Sequence, residues 1–91
     1  MALNWPPKSP GETLDYSFDW SQALAGDTIT GSSWALSDSS LVDDHDSFTS
    51  TSTTVWLKGG TNNANYSLTN TITTAGGRIF DQVALLLIRN T

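Results

Sequence analysis

Residues 54–78 do most to limit the fold. Val55, Trp56, Leu57 and Lys58 lead into Gly59 and Gly60; Tyr66, Leu68 and Ile72 follow at even positions; Gly76, Gly77 and Arg78 close the segment. Apolar side chains at even spacing share one face of an extended strand, and glycines supply the positive φ values of tight reversals. The segment therefore reads as strand, glycine turn, strand, glycine turn. It predicts an antiparallel β-sandwich.

The rest of the chain extends that pattern to an all-β fold of about seven strands. Residues 12–20 alternate most cleanly, with Leu14, Tyr16, Phe18 and Trp20 on one face and Asp15, Ser17 and Asp19 on the other. Residues 21–26 form a connection with room for one helical turn packing Leu24. Residues 27–36 form a strand in which Ile29 is out of parity with Trp34 and Leu36, so a bulge near 31–33 is expected. Leu41 and Val42 suggest a brief strand followed by an acidic loop carrying Asp43, Asp44, His45 and Asp46. Strands at 48–58, 65–74 and 79–89 complete the set. Tyr66 opens the strand before the last hairpin, where sandwiches of the immunoglobulin type anchor a corner through a tyrosine hydroxyl.

The two ends stand apart. Trp5, Pro6, Pro7, Lys8, Ser9 and Pro10 lack amide donors at three positions, so residues 1–11 are expected to form an extended arm, not a ladder strand, whose Trp5 either folds back over the sandwich edge or docks on a neighbouring subunit; removing residues 1–9 is expected to leave the fold of domain 12–91. The last strand is apolar at both parities. With Val83, Leu85 and Leu87 assigned to the core, Leu86 and Ile88 point outward, and leaving them in water forgoes about 1.5–3 kcal/mol each. Either the Trp5 arm covers them or another protein does, and the second reading is favoured.

Composition narrows the function classes. Ninety-one residues make one domain, and the lack of cysteine leaves it without disulfides or thiolate metal sites. Charged residues are only 14%, with a net charge of −5, which argues against a nucleic-acid partner. No basic segment followed by an apolar run is present, so no signal peptide and no membrane span is expected, and folding in a cytoplasm follows.

Candidate chemistry is sparse. The residues 43–46 lack the alternate ligands, central glycine and closing glutamate of an EF-hand, although irregular calcium ligation stays open; His45 is the sole histidine. No nucleophile elbow accompanies it, and Glu12, Asp15 and Asp19 share one strand's outer face with no cleft implied. No catalytic, cofactor or metal site is expected. Four tryptophans raise a carbohydrate-binding platform of Trp5, Trp56 and Tyr66 as an alternative, with Trp20 and Trp34 assigned to the core.

The segment from Trp5 to Glu12 leading into Leu14, Asp15, Tyr16, Ser17, Phe18, Asp19 and Trp20 resembles small immunoglobulin-like virion proteins of tailed bacteriophages. Residues 55–60, 66–74 and 76–78 resemble the same proteins, and the match is to the phage fiber-tail adaptor group. That resemblance implies a non-enzymatic structural protein assembled in the host bacterial cytoplasm, present in multiple copies and bound to tail, fiber or head subunits. A capsid decoration protein is its nearest alternative. The expected contact residues are Trp5, Pro6, Pro7, Lys8, Leu86, Ile88 and Arg89. Tyr66, Gly59, Gly60, Gly76 and Gly77 set the corner and turns.

Overall fold

The computed structural model describes residues 2–89, so Met1 of the expected arm and residues 90–91 of the domain lie outside it. Seven strands and one helical turn follow in the order β1 (Ala2–Asn4), β2 (Leu14–Asp19), α1 (Ser21–Leu24), β3 (Ile29–Leu36), β4 (Leu41–Phe48), β5 (Ser52–Gly59), β6 (Asn65–Thr74) and β7 (Ile79–Leu87). They form two sheets, β1-β7-β6-β3 and β2-β5-β4. This is the immunoglobulin-like sandwich, with the third, sixth and seventh strands facing the second, fifth and fourth. Its first strand differs from the constant-type arrangement: it lies beside the last strand and not beside the second.

Parity explains most of the packing. Tyr16 and Phe18 of β2, Val55 and Leu57 of β5, and Tyr66, Leu68 and Ile72 of β6 all turn inward and are buried. A register shift between Ile29 and Gly31 realigns β3, so that Ile29 is buried and Trp34 packs against the same core. Leu24 is buried beneath α1.

Tyr66 forms the expected corner. Its hydroxyl accepts the Thr61 amide at 2.8 Å and also bonds the Ser40 hydroxyl. The chain between β5 and β6 crosses from one sheet to the other here, whereas the β6–β7 connection is a true hairpin. Gly60 has φ +98°, and a Cβ there would meet Ile88 Cγ1 at 2.7 Å. Gly76 serves differently from expectation, since its φ is not positive. It lets Asp27 approach, and its amide donates to Asp27 Oδ1 at 3.1 Å; a Cβ would lie 2.7 Å from Asp27 Oδ2.

Three expectations need correction. The acidic segment is not a loop, because β4 runs through it, paired with β5 and shifted in register between Asp43 and His45. Charge and a bulge on an edge strand protect it against pairing with other chains. Phe48 ends β4 and does not begin β5: Thr49 and Ser52 hydrogen-bond across the intervening turn, through Thr49 N–H to Ser52 O at 2.8 Å and Ser52 N–H to Thr49 Oγ1 at 3.1 Å.

The third correction concerns β7. Ala84, Leu86 and Ile88 are the buried set, whereas Leu85 is 42% exposed. Hairpin register dictates this, because Tyr66 pairs with Leu86 and Leu68 with Ala84, and paired residues share a sheet face. Leu86 and Ile88 are thus covered by the chain's own core and need no other protein.

Candidate interaction surfaces

The proline-rich arm is part of the sheet. Ala2, Leu3 and Asn4 align in parallel with Val83, Ala84 and Leu85. The ladder continues past β1, with Trp5 N–H donating to Leu85 O at 2.9 Å, Lys8 N–H to Leu87 O at 3.1 Å, and Arg89 N–H to Lys8 O at 2.8 Å. Pro6 and Pro7 fall between the two arm residues that donate, where the pairing requires no N–H.

Side chains fasten the arm further. The Trp5 ring stacks on Tyr16 with centroids 4.7 Å apart and planes inclined by 14°, and lies 5.2 Å from Phe18 and 6.0 Å from Trp34. Tyr16 donates its hydroxyl proton to Pro6 O at 3.0 Å. Lys8 is fully buried, and its ammonium donates to Ser9 O at 2.8 Å and Gly59 O at 2.7 Å. Burial pulls its pKa below the ordinary lysine value, against the opposing pull of Glu12 and Tyr66.

The expected contact residues therefore divide. Trp5 is half-buried, and Lys8, Leu86 and Ile88 face the interior. Pro6, Pro7 and Arg89 are exposed. The carbohydrate platform is dismantled: Tyr66 is buried, Trp5 lies in the aromatic cluster, and Trp56 alone reaches the outer face of the β2-β5-β4 sheet, with His45 stacked on it at 5.2 Å.

The two outer sheet faces differ in chemistry. On the β2-β5-β4 face, Asp44 accepts from Lys58 at 3.1 Å and bonds His45 Nδ1 at 3.0 Å, and β2 adds Asp15 opposite Trp56 and Asp19 opposite Ser52 at the far end of β5. On the other, β7 presents Ile79 at 72% exposure, Val83, Leu85 and Leu87, set opposite Thr73, Thr69, Ser67 and Asn65 of β6. Asp81 is the only charge in that row of β7.

Asp43 and Asp46 lie close together on β4. Burial first, then the neighbouring Asp46, raise Asp43 from the ordinary 3.8 to about 6. One Asp43 oxygen is buried with no hydrogen-bond partner among the described residues. A carboxyl whose folded pKa is raised contributes stability while protonated, fully present below about pH 4 and lost as pH rises through about 6. Urea midpoints should therefore fall for the native chain relative to Asp43→Asn between those two values. Parallel curves for the two proteins would contradict the assignment.

Two features have little sequence signal. Asn70 is a buried amide joining both sheets; only its break in the apolar parity of β6 marks it. A cavity of about 280 Å³, lined by Ser17, Phe18, Asp19, Trp20 and Gln82, opens between β2 and β7, and depends on strands far apart in sequence.

Fold and surfaces together define a small immunoglobulin-like domain whose distinguishing features are strand edges, an arm and an apolar row. Over residues 8–87 it matches the family described as podophage GP4 fiber-tail adaptor protein gp77, and the chain belongs to that family. Its role is that of a structural adaptor in a phage virion. No curated protein matches the chain.

Proposed function

We propose that this adaptor joins fibers to the tail without catalysis, through the outer face of β7 and the exposed arm residues beside it. The observation that carries this reading is the row Ile79, Val83, Leu85 and Leu87, paired along β6 with Thr73, Thr69, Ser67 and Asn65. Pro6, Pro7 and Arg89 border the row, while Lys8, Leu86 and Ile88 hold its backbone in place from inside. An apolar row on a rigid sheet supplies contact area at little cost in conformational entropy.

Lack of cysteine suits assembly in the reducing host cytoplasm, and several copies per tail follow from the symmetry of such assemblies. The double variant Ile79→Glu, Leu85→Glu tests the surface. It should melt within about 3 °C of the native chain, since exposed positions change stability little. Purified tails built with it should lack fibers; normal fiber occupancy would refute the assigned face.

A further inference from the structure

The cavity between β2 and β7 is flanked by two bare strand edges. On β7 the direction of each backbone group follows from the pairing. Leu85 and Leu87 direct their carbonyls to the arm, and the register with β6 is unbroken from Thr73↔Ile79 to Asn65↔Leu87. Ile79 and Asp81 share that parity, so their N–H and C=O groups also point away from β6. β1, however, pairs only with Val83, Ala84 and Leu85. Among the described residues nothing occupies the lane beside Ile79 and Asp81.

The facing edge of β2 is equally bare. β2 pairs only with β5, and the Trp20 amide donates to Thr51 O in that ladder, so even positions serve β5 and Ser17 and Asp19 direct their backbone groups to the opposite side. In a constant-type sandwich the first strand would cover this edge. Here it has moved to β7, and the space left is the cavity floored by Phe18 and Trp20.

We propose that this lane binds an extended segment of a partner virion protein by strand addition in line with β1, one apolar side chain filling the cavity. Phe18 and Trp20 select the apolar group. Exposed Asp15, Asp19 and Asp81 on the two edges select a segment with lysine or arginine next to that group. Backbone pairing supplies affinity and the cavity supplies specificity, as in other strand-addition complexes. The inference rests on the adaptor reading but uses the backbone edge of β7, whereas the Leu85 row is the outward side-chain face of that strand; Ile79 and Asp81 belong to both.

Hydrogen exchange and two variants test it. In the isolated protein the Ile79 and Asp81 amides should exchange freely; in purified, fiber-bearing tails they should slow about 100-fold or more. Asp81→Pro deletes an N–H that β6 does not use, and Ser17→Trp fills the cavity from its rim. Each should leave the melting temperature within about 3 °C and lower fiber copies per tail about tenfold or more. Unchanged exchange in tails, or full fiber occupancy in both variants, overturns the proposal. If the Leu85 variant still loses its fibers in that case, the adaptor surface stands and only strand addition fails; if it too is normal, both readings fail. Protection already present in the isolated protein also overturns it, since another copy of this chain would then fill the lane.

Discussion

Replacing Asn70 with alanine should lower the melting temperature by about 12 °C or more. Asn70 Oδ1 accepts from Thr53 Oγ1 at 2.6 Å and from Trp20 Nε1 at 3.2 Å, while its Nδ2 donates to Ser32 Oγ and to Ser33 O, each at 2.9 Å. One side chain thus links β6 to β3 within its sheet and to β5 and the end of β2 across the core. Alanine removes all four bonds, at about 0.5–1.5 kcal/mol each, and leaves the buried Thr53 hydroxyl without its acceptor, so with incomplete additivity a loss of about 3–5 kcal/mol is expected. Each kcal/mol corresponds to about 4–8 °C in a domain of this size. Thr53→Val should cost less, because Trp20 keeps its bond to Asn70. A shift for Asn70→Ala below about 4 °C in thermal circular dichroism would contradict this account.

Trp5→Ala should cost about 2–4 kcal/mol, somewhat below the usual figure for a fully enclosed ring because Trp5 is half-buried. The change removes the ring that joins Tyr16, Phe18 and Trp34, and it loosens the arm. Arg89 offers a local readout: its amide donates to Lys8 O, so it should exchange faster in the variant than the amides of β5. Equal protection would mean that the arm holds without its tryptophan. Removal of residues 1–9 is, on the same grounds, not neutral for folding.

The strands that alternate cleanly were legible in the sequence: 12–20, 65–74 and the Tyr66 corner lie where parity and glycine placement put them. The arm was not legible as a ladder, because its prolines hide a parallel pairing that needs donors only at Trp5 and Lys8. Residues 43–46 looked like a loop because charge is rare within strands, yet an edge strand tolerates it on its open side. The face of β7 could have been read correctly from pairing alone. With Tyr66 inward, an unbroken hairpin carries Leu86 inward with it, a constraint stronger than the local apolar pattern. The cavity and the bare edges were beyond reach, since both depend on which strand the first one joins.

The parallel placement of the arm beside β7 has a mechanical consequence. The two strands run side by side in the same direction, so opposed pulls on Ala2 and on Arg89 slide one past the other. The hydrogen bonds from Trp5, Lys8 and Arg89 lie across that motion and must break together, where a peeled hairpin would lose them one at a time. Lys8 adds its grip on Gly59 O, in the other sheet, to the same joint. Force applied along the strands in these opposite senses therefore meets the joint in its stiffest direction.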